Sequence, residues 1–301
     1  MAAPIVGLLS PGDMGHVVAQ VLQAHGVRVR TCLAGRSERT RQLARRAQIE
    51  EVASEEELVR TTEIILSIVV PAAARAVAER VARALQVTGR TLVYVDCNAV
   101  SPRTVREIAT CLTATGSRFV DASIIGPPPR QAGTTRFYAS GPDVEAMVAL
   151  GQYGLDVRVV GEEIGQASAL KMCYAALTKG FTALATALLV AAQAMGLYEA
   201  LVDEFALSQA ERYRAMQRQI PPMPTKARRW VGEMEEIAHT FAEVGLTPLL
   251  HQGAAEVYRF VSTTPLAEET PETLDRSRTL EQVIATLAAH LPPATVEAFF
   301  A

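Results

Sequence analysis

An α/β half built on a doubly wound parallel sheet, followed by an all-α half, is the architecture this sequence predicts. Three observations predict it. Short, near-continuous apolar runs alternate with longer amphipathic stretches through the first half, as buried parallel strands between helices require. Strand-like runs then stop, and from roughly Ile164 onward the pattern keeps a helical period. The 301 residues also exceed what one hydrophobic core of about 250–300 residues holds. Two domains are therefore expected, 1–162 and 163–301.

The elements follow in order. Ile5–Leu9 is an apolar run, and Gly12–Gly15 opens a helical pattern reaching about His25. Val27–Leu33 alternates like a strand, and Ser37 stands where it would cap the Arg- and Gln-rich helix after it. Thr62–Val70 is apolar and β-branched, with Pro71 where a first helical residue tolerates proline. Thr91–Val95 is the next strand, and Ser101-Pro102 opens another helix. Phe119–Ile125, Thr134–Ser140 and Val157–Val160 complete the strands. The helical half is read as Gly165–Met195, Glu199–Arg218, Ala227–Val244, Leu249–Val261 and Leu274–His290.

Composition removes several function classes. Lysine and arginine number 29 against 32 aspartate and glutamate, a net charge of −3, so no basic excess marks a nucleic-acid binder. Cys32, Cys97, Cys111 and Cys173 are scattered without a CxxC, and the five histidines form no cluster, so neither a metal site nor a disulfide framework is expected. The N-terminus lacks the basic region of a signal peptide. Gly180 to Tyr198 is uncharged but rich in Ala and Thr, which reads as a buried helix and not a membrane span. A cytoplasmic protein is expected.

The chemistry starts at Gly7-Leu8-Leu9-Ser10-Pro11-Gly12-Asp13-Met14-Gly15. Against the dinucleotide fingerprint G-x-G-x-x-G, Ser10 replaces the first glycine, and Gly12 and Gly15 fill the second and third places. Gly12 would let the backbone approach a pyrophosphate, Gly15 would let helix and strand pack closely, and the helix N-terminus supplies N–H groups. Such a loop between the first strand and first helix points to a Rossmann domain. Ser10, Pro11, Gly12, Asp13 and Met14 are its cofactor-binding candidates, joined by Val69 at the end of a later strand. About 20 residues on, an acidic residue would bind the ribose hydroxyls of NAD. The chain instead has Ala34-Gly35-Arg36-Ser37, so Arg36 and Ser37 are expected to meet the 2′-phosphate of NADP.

These segments resemble the β-hydroxyacid dehydrogenases and 6-phosphogluconate dehydrogenases. Gly7–Gly15 is similar to their G-x-I-G-x-G-x-M-G. Asp96-Cys97-Asn98-Ala99-Val100-Ser101-Pro102 corresponds to the segment beside the nicotinamide, which places Asn98 there. Asp121-Ala122-Ser123-Ile124-Ile125-Gly126-Pro127 lies where the family has its D-A-P-V-S-G-G substrate loop, making Ser123, Ile124, Ile125 and Gly126 substrate candidates. Ala167-Ser168-Ala169-Leu170-Lys171 resembles the start of the interdomain helix that carries the catalytic lysine. The segment Lys226–Glu236, with the single tryptophan Trp230, looks like the C-terminal helical domain of a less-studied branch. Ile125 and Pro127 depart from the loop pattern. Tyr174 and Ala175 occupy the places where an asparagine would hold a substrate hydroxyl, so a less polar or bulkier substrate is expected.

The resemblance makes Lys171 the general acid/base for hydride transfer between NADP(H) and a hydroxyl or carbonyl carbon. Burial would have to lower its pKa from about 10.4 toward 7–8, roughly 4 kcal/mol of differential stabilisation. The helical period puts Thr178 nearly in line with Lys171 and Tyr174 one turn along, so both join the substrate candidates. Lys179 lies some 80° off that line, where a surface or cofactor-edge role is expected as much as catalysis. Glu233 and Glu236, three apart, read as a solvated face. Two other readings stay open: an imine reductase using NADPH, and a catalytically silent nucleotide-binding regulator. A homodimer is expected, since a long apolar helix is most easily buried against a second copy.

Overall fold

The computed structural model describes residues 3–293. Met1-Ala2, read above for a leader, and 294–301 of the second expected domain lie outside the described residues. The chain divides into two compact units, Met1–Tyr174 and Ala175–Ala301.

The first unit holds one eight-stranded sheet: β1 (Ile5–Leu9), β2 (Arg28–Cys32), β3 (Glu50–Val52), β4 (Ile64–Ser67), β5 (Val93–Asp96), β6 (Arg118–Ile125), β7 (Arg136–Ser140) and β8 (Asp156–Gly161). Their order is β3-β2-β1-β4-β5-β6-β7-β8. From β1 the chain winds outward through β2 and β3, then restarts on the other side with β4. The carboxyl ends of β1 and β4 therefore form the crevice where ligands of such sheets bind. The helices are α1 (Gly15–Ala24), α2 (Glu38–Arg46), α3 (Glu55–Thr61), α4 (Ala74–Thr88), α5 (Pro102–Thr113) and α6 (Glu145–Ala149).

Side-chain alternation makes the two faces. Ile64, Leu66, Val93, Val95, Val120, Ala122 and Ile124 pack with α1 residues Val18 and Leu22. Ile65, Tyr94 and Phe119, one position out of phase, pack with Val77 and Val81 of α4 and Val105 and Ile108 of α5. The sheet is not wholly parallel as expected, because β7 runs antiparallel to β6. Only the short loop after Gly126 joins these strands, too short for a parallel crossover. The strand β3 and helix α3 went unread in the sequence: Glu50 and Glu51 are exposed on an edge strand, where no apolar alternation is needed.

One long helix, α7 (Gln166–Ala194), starts in the first unit and continues into the second. It is long and apolar enough by composition to cross a membrane, and half of its apolar window is buried inside the fold. The second unit continues with α8 (Tyr198–Ser208), α9 (Ala210–Gln219), α10 (Ala227–Glu243), α11 (Leu249–Ser262) and α12 (Leu280–Ala289). The helix expected over Glu199–Arg218 is two helices, because Gln209 leaves helical geometry at φ −136° and ψ 36°. The last helix begins at Leu280 and not Leu274: Thr279 and Gln282 form a reciprocal capping box there, while Asp275 holds the preceding turn by accepting from Ser277 N at 2.9 Å.

Candidate active site

The phosphate loop follows β1. Ser10, the substitute for the first glycine, takes the left-handed region at φ 70°. Gly12 N–H donates to the Ser10 carbonyl at 2.8 Å, and His16 Nδ1 lies 2.6 Å from the Gly12 carbonyl. A Cβ added at Gly15 would stand 2.5 Å from the Ser10 carbonyl oxygen, so only glycine allows strand and helix this close. A Cβ at Gly12 would meet only Ser10 Oγ, at 3.8 Å, so the space over Gly12 is open. The serines Ser37, Ser54 and Ser101 cap α2, α3 and α5, whereas α1 has no side-chain cap. Backbone carbonyls of Gly12 and Met14 accept from His16, Val17 and Val18 N–H, and the partial positive charge of this helix end lies at the crevice. A pyrophosphate fits this cradle. Pro11 is buried and Asp13 and Met14 are half-buried; Asp13 is paired with Arg39 of α2, which ties the loop to that helix.

The segment after β2, Leu33-Ala34-Gly35-Arg36-Ser37, carries no carboxylate. Arg36 is half-buried there. Its pKa is lowered first by burial and next by the neighbouring Arg80 guanidinium. Ser37 Oγ accepts from Thr40 N–H at 3.2 Å and lies 3.1 Å from Thr40 Oγ1.

At the ends of β4 and β5, Asn98 is 2% exposed and its side chain is committed to the loop. Its Nδ2 donates to Ser67 Oγ and to Asp96 Oδ2, each at 3.0 Å, and its Oδ1 accepts from Val69 N–H at 2.7 Å. Asn98 thereby fixes the backbone at Val69, the neighbour of the crevice, while its own amide points inward.

The loop after β6 centres on Lys171, whose Nζ donates to the Ile124 carbonyl at 2.7 Å. Ser123, Ile124 and Ile125 are buried, and Gly126 is exposed with φ 127°. A Cβ at Gly126 would strike the Thr134 carbonyl oxygen, so the exit from β6 requires glycine. Ser123 Oγ is sealed from solvent and has no hydrogen-bond partner among the described residues. Tyr174, one turn from Lys171, is half-exposed at 49%. Thr178 falls in the second unit, its Oγ1 3.5 Å from the Ala175 carbonyl.

Comparison with known proteins fits this geometry. Residues 5–149 match the NAD binding domain of 6-phosphogluconate dehydrogenase, and 192–261 match a domain of unknown function, DUF1932. A conserved protein of unknown function, whose structure is described as similar to 3-hydroxyacid dehydrogenases, is 33% identical; the match covers 85% of this chain and 96% of that one, with a TM-score of 0.63. This chain belongs to the 6-phosphogluconate dehydrogenase-like family. An uncharacterised 28.5 kDa protein of Methanothermus fervidus is 28% identical over 208 residues, 69% of this chain and 78% of that protein. The Mycobacterium tuberculosis 3-hydroxyisobutyrate dehydrogenase, with L-serine, shares the fold at 20% identity and a TM-score of 0.67, over 95% of this chain and 99% of that one.

In this 6-phosphogluconate dehydrogenase-like chain, tertiary structure adds groups that were not among the candidate site residues. Ser67, Asp96, Asp121 and Ser140 stand side by side in register on β4 to β7, all fully buried. Asp121 Oδ1 accepts from Ser168 Oγ at 2.7 Å; its Oδ2 accepts from Gly165 N–H at 2.8 Å and from Ser168 N–H and Ser140 Oγ, both at 3.1 Å. Burial pushes the Asp121 carboxyl above its usual range, against the pull of those four donors. Polar residues ending apolar strands were the signal for this row.

Two expectations about the helical unit are corrected. Lys179 is not at the surface, and Glu233 is not on a solvated face: they are 8% and 5% exposed. Lys179 Nζ lies 2.6 Å from Glu233 Oε2, and Arg229 Nε lies 3.2 Å from Glu233 Oε1. Trp230 packs edge-on to Tyr258 at 5.2 Å, with Lys179 Nζ 5.5 Å from its ring centre. Helical spacing alone could not show that α10 lays this face against a lysine.

Proposed function

We propose that the protein is an NADP(H)-dependent oxidoreductase that moves hydride between the cofactor and a hydroxyl or carbonyl carbon of a small substrate. The observation that carries this reading is the Lys171 ammonium held at 2.7 Å on the carbonyl of Ile124, in the same unit as a glycine cradle for a dinucleotide. The nicotinamide, when bound, supplies the hydride. The chain's own work is to bind, orient and move a proton at Lys171 Nζ. Oxidation of an alcohol needs a base for the hydroxyl proton, and reduction needs an acid for the forming alkoxide; one amine serves both directions. As an ammonium it also stabilises negative charge on the substrate oxygen.

The preference for NADP rests on Arg36. Arg36 and Arg80 repel each other beside Glu55, which is paired with Arg80 at 3.0 Å, and a 2′-phosphate adds the negative charge that one carboxylate does not supply to two guanidiniums. Ser10 to Met14 hold the pyrophosphate, while Val69, set by Asn98, borders the nicotinamide side. The buried Ile124 and Ile125, the glycine exit at Gly126 and the half-exposed Tyr174 suit a less polar substrate than a small hydroxy acid held by an asparagine.

The partner is a second copy. Leu177, Leu184 and Met195 are exposed on α7 at 75%, 63% and 66%, with the half-buried Phe181 and Leu188 between them. From Leu177 to Leu188 the spacing alternates four, three and four, and Met195 follows one heptad on, an apolar seam of the coiled-coil kind. The four free cysteines, Cys32, Cys97, Cys111 and Cys173, suit a cytoplasmic setting.

The test is a panel of hydroxy acids, the corresponding carbonyl compounds and cyclic imines, assayed with NADPH and NADH against Lys171→Ala. Turnover of an alcohol–carbonyl pair with NADP(H), abolished in Lys171→Ala, is the expected result. Imine reduction that survives Lys171→Ala would replace the reading with imine reductase chemistry. Tight NADPH binding without turnover would make the protein a nucleotide-binding regulator. Light scattering of wild type and Leu184→Glu checks the dimer.

A further inference from the structure

The amine of Lys171 is useful only if the first turns of α7 hold it in one place. A helix N-terminus has no such rigidity by itself, since its first four N–H groups lack partners within the helix. Here two of those groups, on Ala167 and Ser168, and the N–H of Gly165 just before them, are gathered by the sheet. Asp121 of β6 accepts from Gly165 N–H, Ser168 N–H and Ser168 Oγ, and Ser140 of β7, itself a donor to Asp121, accepts from Ala167 N–H at 3.0 Å. Every one of these side chains is 0–1% exposed.

The two ends of the arrangement are matched in sequence. Asp121 and Ile124 are three residues apart on β6, about 10 Å along a strand. Ser168 and Lys171 are three residues apart on α7, close to one helical turn. Asp121 binds Ser168, and Ile124 receives Lys171. The strand thus grips the helix at two points, one at the helix start and one at the reactive amine. A carboxylate at a helix N-terminus also meets the positive end of the helix dipole.

We propose that Asp121 is the positioning residue for Lys171, acting through Ser168 and the α7 N-terminus to hold the amine at the end of β6. The proposal deepens the functional reading above and rests on it for the consequence in turnover. The placement of the amine itself can be tested without a substrate.

The chain has only three lysines, Lys171, Lys179 and Lys226. Competitive acylation with acetic anhydride followed by peptide mass spectrometry reads each amine separately. Asp121→Asn and Ser168→Ala are compared with wild type between pH 7 and 9.5, with melting temperatures recorded. A hydrogen bond to a charged group restrains its donor enough that Lys171 acylation is expected to rise about tenfold in either variant, with Lys179 and Lys226 unchanged. With any substrate found by the panel, kcat is expected to fall about 100-fold while the KM for NADPH stays near wild type. Should Asp121→Asn fail to fold, Ser168→Ala decides.

An unchanged Lys171 rate in folded variants overturns the proposal, as does an equal rise at all three lysines, which would report general loosening. Selective Lys171 release combined with full turnover in Lys171→Ala would leave the positioning intact and remove the catalytic reading instead.

Discussion

Gly12 and Gly15 lie three residues apart in one loop, yet the structure assigns them opposite effects on stability and the same effect on cofactor affinity. In Gly15→Ala the new methyl would stand 2.5 Å from the Ser10 carbonyl oxygen. An ordinary carbon–oxygen approach is about 3.3 Å, so roughly 0.8 Å must be found by moving backbone. Overpacking of that kind costs about 1–3 kcal/mol, offset by about 1 kcal/mol from alanine's better helix propensity. The apo protein is expected to lose about 1 kcal/mol, near 2–4 °C in melting temperature. In Gly12→Ala the nearest atom is 3.8 Å away and φ is not positive, so the unfolded chain loses entropy at no folded-state cost. A gain of about 0.4–1 kcal/mol follows. Its methyl nevertheless fills the space a pyrophosphate needs. Both variants are therefore expected to weaken NADPH binding by about tenfold or more, near 1.4 kcal/mol. Thermal melts of the apo proteins and NADPH titration calorimetry measure the two effects. Wild-type NADPH affinity in Gly12→Ala, or a higher melting temperature in Gly15→Ala, would refute the reasoning.

Ser10→Gly removes a side chain from the left-handed region at φ 70° and should raise apo stability by about 1 kcal/mol, measured by urea unfolding. Arg36→Ala should reduce the ratio of NADPH to NADH affinity by about tenfold or more, since it removes a charge-assisted contact to phosphate, while NADH affinity stays within twofold of wild type. His251 has both ring nitrogens buried without hydrogen-bond partners among the described residues, packs against Phe241 at 4.3 Å, and has its pKa lowered by burial. The unfolded state therefore takes up a proton more readily, and the stability tied to neutral His251 is lost as pH falls below about 6.5 and through the lower folded pKa. His251→Leu should flatten the stability curve between pH 7.5 and 5.5; an unchanged slope would assign the acid sensitivity elsewhere. Lys179→Met removes the buried partner 2.6 Å from the Glu233 carboxylate, a loss of about 3 kcal/mol by urea unfolding. The double variant Lys179→Met/Glu233→Leu should lose less than that single change.

The sequence by itself determined the parts whose physics is local. Near-continuous apolar runs set β1, β5 and β6 within a residue or two and β4 within three, because strands buried on both faces have no other composition available. Glycine spacing set the cradle, because Gly15 is needed within sight of its own neighbours. The kink at Gln209 and the charged edge strand β3 depend on what surrounds them, so no window of sequence displays them, whereas the antiparallel β7 follows from the short loop after Gly126. The same holds for the candidate site. Lys171 stood out through its motif, but its hold on Ile124, 47 residues away, did not. Asp121 and Ser168 became an anchor only when β6 met the start of α7, and Lys179 and Glu233 became a buried pair only when α7 met α10. Local propensity follows from neighbours in the chain; burial and pairing of charge follow from distant segments brought within a hydrogen bond of one another, and only the tertiary structure sets those.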